Sequence, residues 1–206
     1  PRGSVANLSN DITYHRWVNE AGVSTTPNAG NDLISPPLSG IDWSKFLTVA
    51  NINSLLNNNA QAPDPLLYAF APFDKTTGTF VNYSNLTSGT TPITAGKGYR
   101  IATASTQDGG NTLAFDGDVI TSQVDIPIIN SGPAFERWNL VGNPYPSYLS
   151  AIDFLNNETN AATLDPSAVA IYGYNSASYT GDGDTTSNSY TIINNNTINT
   201  FTNENF

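Results

Sequence analysis

The sequence predicts an all-β fold: an antiparallel two-sheet sandwich, jelly-roll-like, carrying one or two short helices and built from two related halves. Three observations predict it. Asn, Thr, Ser, Gly and Pro together make up 99 of 206 residues, and these residues give up helix in favour of turns, caps and strands. Three Trp, ten Tyr and nine Phe are spread along the chain, which is enough large apolar surface for a folded core. Finally, a set of strand-like segments recurs more than a hundred residues further on, an offset longer than any solenoid period.

The duplication can be followed element by element. Arg16-Trp17 opens the first copy and Arg137-Trp138 the second. An apolar strand ending in proline is expected next in each, Leu33-Ile34-Ser35-Pro36-Pro37 and then Leu140-Val141-Gly142-Asn143-Pro144-Tyr145-Pro146. Next come Ser39-Gly40-Ile41-Asp42-Trp43 and Ser150-Ala151-Ile152-Asp153-Phe154. Both carry Ser-x-x-Asp, in which the hydroxyl caps the first turn of a helix and the carboxylate faces its positive end. Asp42 and Asp153 are therefore expected to be structural. The helices should be short, because Asn57-Asn58-Asn59 and Asn156-Asn157 interrupt them.

Aromatic strands follow: Leu67-Tyr68-Ala69-Phe70 and Ala170-Ile171-Tyr172-Gly173-Tyr174, then Gly78 to Tyr83 and Ser189 to Ile193. The first copy continues through Ala95-Gly96-Lys97-Gly98-Tyr99-Arg100-Ile101, a glycine turn feeding an alternating strand. The second copy reaches Phe206 without an equivalent. Between the copies, Thr112 to Phe115 and Val124 to Ile128 read as edge strands joined across Asp116-Gly117-Asp118. The expected organisation is a first half over residues 5–130 and a second, incomplete half over 131–206, packed as one domain. Pro1-Arg2-Gly3-Ser4 reads as the remnant of a cleavable tag. A parallel β-helix with an Asn ladder over Thr191 to Phe201 ranks below the sandwich, since only that stretch has a short period.

Composition also narrows function. A net charge of −10, with seven cations against seventeen carboxylates, cannot build the basic face that nucleic acid requires. Apolar runs such as Leu66 to Ala71 are far below the roughly 20 residues of a spanning helix. No Cys is present, so packing alone must supply stability, and with a single His zinc has almost no ligands. No catalytic residue is assigned. His15 should lie on one strand face with Thr13 and Trp17, and no nucleophile-elbow serine accompanies it. Gly96-Lys97-Gly98 reads as a turn, because a phosphate loop needs a helix directly after it and a strand follows instead.

Two constellations suggest binding. Tyr145, Tyr148, Tyr172, Tyr174 and Tyr179 lie in Asn-rich surroundings, the combination with which flat rings stack on sugar faces and amides bond to hydroxyls. The competing use of those rings is core volume in a chain short of Leu and Met. Asp-Gly-Asp occurs at Asp116 to Asp118 and at Asp182 to Asp184. Ordinary turns explain both, and Asp182 with Asp184 is the better calcium candidate of the two.

The run Arg137-Trp138-Asn139-Leu140-Val141-Gly142-Asn143-Pro144-Tyr145-Pro146-Ser147 resembles a segment common in surface and secreted proteins of Bacteroidetes-type bacteria. The first copy, with Ala95-Gly96-Lys97-Gly98-Tyr99, is similar to the other half of that plan. The resemblance implies a β-rich region of an adhesin-like protein exported by the type IX secretion system. Asp184-Thr185-Thr186 is similar to the short O-glycosylation acceptor of such bacteria, which would place a sugar on Thr185. This chain departs from the pattern in lacking the second glycine turn and a sorting domain.

The expectation is a non-catalytic structural or adhesive domain, extracellular or at the cell surface. Its partners would be other domains of the parent protein or an extracellular glycan. The alternative is a glycan-binding module using exposed tyrosines, with calcium as the one candidate ion and no other cofactor.

Overall fold

Alternation of apolar and polar side chains builds the longest pair of strands. The computed structural model describes residues 12–21, 31–58, 64–104, 106, 108–130, 138–174 and 190–194. In it, β1 (Ile12–Asn19) pairs antiparallel with β6 (Gly110–Gly117), from Ile12 opposite Gly117 to Asn19 opposite Gly110. Leu113 and Phe115 of β6 point inward with Val18 of β1, as a period of two requires. On β1, Thr13, His15 and Trp17 lie on the outer, exposed side.

A second antiparallel sheet runs in the order β2-β5-β3-β4, comprising β2 (Asp32–Ile34), β5 (Tyr99–Ile101), β3 (Phe70–Asp74) and β4 (Thr79–Phe80). Tyr99 and Ile101 are fully buried, while Arg100 between them turns outward onto the Phe80 ring, 4.7 Å from its centroid. A third, two-stranded sheet pairs β7 (Ile171–Tyr174) with β8 (Tyr190–Ile193). The molecule is thus an all-β, sandwich-like assembly of antiparallel sheets with a few short helices.

The core lies between the first two sheets, and rings fill it. Trp43 has four aromatic neighbours, Phe46, Tyr68, Phe70 and Tyr83, at centroid distances of 5.0 to 5.9 Å. Phe46 reaches Phe70 of one sheet and Phe115 of the other, each at 4.9 Å. Helix α1 (Trp43–Phe46) therefore acts as the plug between the layers. Each such ring removes a large apolar area from water, worth about 1.5 to 3 kcal/mol.

Four short helices are present among the described residues, where one or two were expected. Besides α1 they are α2 (Val49–Ser54), α3 (Ala151–Asn156) and α4 (Glu158–Thr163). Each break has a local cause: Thr48 caps α2 by accepting from Asn51 N, and Asn157 ends α3 and caps α4. Ser150 caps α3 as expected, accepting from Asp153 N. In the first copy Asp42, not Ser39, is the cap, its carboxylate accepting from Lys45 N at 2.8 Å. Ser39 is occupied by a two-way backbone bridge to Asp118, and Gly40 at φ 73° turns the chain before the helix begins.

The region between the copies also differs from expectation. Asp116-Gly117 continues β6 instead of turning, and Asp118 pairs with Ser39. A side chain on Gly117 would collide with the Ser39 carbonyl, so the glycine permits close approach and does not make a hairpin. Val124 to Ile128 joins no ladder among the described residues. Trp17 sits in a paired strand opposite Thr112, whereas Trp138 lies outside any strand. Asn143, Pro144 and Pro146 turn the chain after Gly142, with Asn143 Oδ1 accepting from Tyr145 N.

The second copy is instead fastened to the first copy's glycine turn. Gly98 N donates to Leu140 O at 3.1 Å and Gly142 N to Gly96 O at 2.9 Å. Gly96 has φ 80°, and a Cβ there would lie 2.5 Å from Ile126 Cδ1. A Cβ on Gly98 would collide with Leu140 Cγ. The turn is therefore the seat on which the Leu140 to Gly142 segment rests. No helix among the described residues is long and apolar enough to cross a membrane.

Candidate functional site

The short β7–β8 ladder places aromatic residues on one face. Tyr172 stands opposite Ile192 and Tyr174 opposite Tyr190, while Ile171 faces Ile193 and Gly173 faces Thr191. Directly opposed residues share a side of the sheet, so Tyr172, Tyr174, Tyr190 and Ile192 line one face and Ile171, Gly173, Thr191 and Ile193 the other. Ile193 is buried and anchors the second face. The first stays wet: Tyr190 is 49% exposed and Ile192 45%.

Trp138 extends this surface from a different part of the chain. Its ring meets Tyr172 edge to face, with centroids 4.6 Å apart and planes at 63°, and 47% of its surface is exposed. Tyr174 and Tyr190 form a second pair, 5.4 Å apart. The tryptophan is held by its neighbour: Asn139 accepts from Ile129 N at 2.9 Å and donates to Ile129 O at 3.1 Å. This amide reproduces a strand's pairing with one side chain and fixes the backbone beside Trp138.

The five predicted tyrosines separate. Tyr172 and Tyr174 lie on the aromatic face. Tyr145 is a clamp, its hydroxyl accepting from Val124 N at 3.2 Å and donating to Ser122 O at 3.1 Å. Tyr148 is fully exposed before α3, and among the described residues it has no ring partner. Tyr179, Asp182, Asp184 and Thr185 lie outside the described residues. Among those described, no group of three or more metal-ligating side chains comes together. Sequence reasoning did not place Trp138 or Tyr190 at the site. The hairpin register would have supplied Tyr190, but only the tertiary fold brings Trp138 to Tyr172.

Chemically, two aromatic pairs, each with one half-exposed ring (Trp138 and Tyr190) beside a partly buried tyrosine, offer ring faces and edges for contact with apolar C–H surfaces, and the tyrosines carry hydroxyls for polar ones. Residues 20–205 match the family model of a domain of unknown function, DUF8693. The chain belongs to the DUF8693 family. No curated protein and no solved structure matches it. The span matched to DUF8693 crosses the seam between the copies, taking in both the glycine turn and the β7–β8 hairpin.

Proposed function

We propose that this chain is a non-catalytic structural and adhesive β-domain of an exported bacterial surface protein, and that the Trp138/Tyr172/Tyr174/Tyr190 face is its contact surface. The observation that carries the reading is the exposure of Trp138 and Tyr190, each set against a partly buried tyrosine of the β7–β8 face, where burial would have been the favourable use of such rings. The acidic, Cys-free composition and the resemblance of the Arg137 to Ser147 run to bacterial surface proteins support the setting.

Extracellular glycan is the ligand class that this face suits best. Sugar rings present flat C–H faces to aromatic rings, and their hydroxyls suit tyrosine and asparagine partners. A glycan array followed by calorimetric titration tests the proposal. Binding should weaken about tenfold or more in Trp138→Ala and in Tyr172→Ala, a loss of about 1.4 kcal/mol or more, while the urea midpoint of the first-half core stays unchanged. Repeating the titration in EDTA tests calcium dependence. An array with no retained glycan would remove the sugar reading and leave a structural spacer, and turnover of chromogenic glycosides would overturn the non-catalytic one.

A further inference from the structure

Among the described residues, the outer edge of β1 is open at Thr13, His15 and Trp17. Ala114, opposite His15, directs both its N–H and its C=O away from β1, because Asn51 takes them: Ala114 N donates to Asn51 Oδ1 at 3.0 Å and Asn51 Nδ2 donates to Ala114 O at 2.7 Å. In an antiparallel ladder hydrogen-bonded and non-bonded pairs alternate. Tyr14 and Arg16 therefore bond to β6, and the backbone groups of Thr13, His15 and Trp17 point outward. Asn19, next in that series, confirms the phase. Its N–H donates to Asp32 Oδ2 at 2.8 Å and its C=O accepts from Thr103 N at 3.0 Å. Among the described residues nothing bonds the outward groups of Thr13, His15 or Trp17. The side chains of Thr13, His15, Arg16 and Trp17 are exposed, and neither Lys nor Pro guards the strand.

We propose that this edge pairs with the same edge of a second copy of the chain, forming a continuous β6-β1-β1-β6 sheet about a two-fold axis. The open groups fix the register. With His15 opposite the partner's His15, Thr13 opposes Trp17 and Trp17 opposes Thr13, so all six outward groups are paired and none is left over. The same register sets Arg16 against the Tyr14 ring of the other copy on one face, an arginine on an aromatic ring. On the other face it covers Trp17, now 46% exposed. A two-fold interface must be self-complementary, and this strand is.

Sedimentation equilibrium tests the proposal directly. The whole chain is run up to about 1 mM in about 0.5 M salt, where repulsion between two acidic copies is screened. The apparent mass should rise with concentration from 21.9 kDa toward twice that value. His15→Pro removes an outward donor without touching the β1–β6 ladder and should weaken association at least about tenfold. His15→Lys, which sets two ammonium groups directly opposite, should do the same and serves if the proline variant fails to fold by circular dichroism. A chain that stays monomeric throughout, or a dimer whose affinity neither folded variant changes, overturns the proposal.

Discussion

Tyr99 combines packing and polarity in one residue. It is fully buried beside Phe70, with ring centroids 5.0 Å apart, and its hydroxyl accepts from Thr94 N at 2.9 Å. Burial pushes its phenol up to about 12, against the Thr94 hydrogen bond, which favours the phenolate. Because the folded value lies above the unfolded one, the stability this provides is complete below about pH 10 and is lost as pH rises toward 12. The unfolding free energy from urea titrations should therefore fall steeply across that window, by roughly 2 kcal/mol from this residue. Tyr99→Phe should flatten the profile and cost about 1 kcal/mol at pH 7 by orphaning Thr94 N–H. Its inward position follows from alternation in Tyr99-Arg100-Ile101. The partner of its hydroxyl is set by the turn folding back over it, which spacing does not reveal.

At the scale of the element, Asn51 shows how a short helix serves a sheet. It is buried on α2 and its amide spans Ala114 N, Ala114 O and Phe46 O, so it stands in for the missing neighbour of β6. Asn51→Leu should cost about 2 kcal/mol or more, since the partly buried N–H and C=O of Ala114 both lose their partner while Phe46 O keeps only Thr48 N, whereas Asn53→Leu on the exposed side of the same helix should be near neutral. Chemical denaturation separates the two. From sequence these asparagines look alike, as polar residues in an Asn-rich stretch. The helix caps divide the same way. Ser150 acts as its pattern predicts, and Ser39 does not, because a long-range bridge to Asp118 takes its backbone first.

For the whole molecule, the decisive feature is the seam at Gly96 and Gly98. Gly98→Ala would drive a methyl group into Leu140 and should loosen the second copy from the first. Limited proteolysis should then cut faster within residues 119–137, while the Trp43 core keeps its unfolding midpoint. Equal cleavage of variant and wild type would show that the seam does not hold the copies together.

An all-β class, a ring-filled core, short capped helices and a glycine turn were determined by the chain's own composition and periodicity, because propensity, alternation and turn chemistry act over a few residues. Only the tertiary structure decided that Asp116-Gly117 runs on as strand and that Trp138 joins Tyr172. It alone also leaves the Thr13, His15 and Trp17 edge without a strand partner among the described residues. These outcomes depend on which backbone groups meet across a hundred residues, where close approach and hydrogen-bond competition overrule local preference.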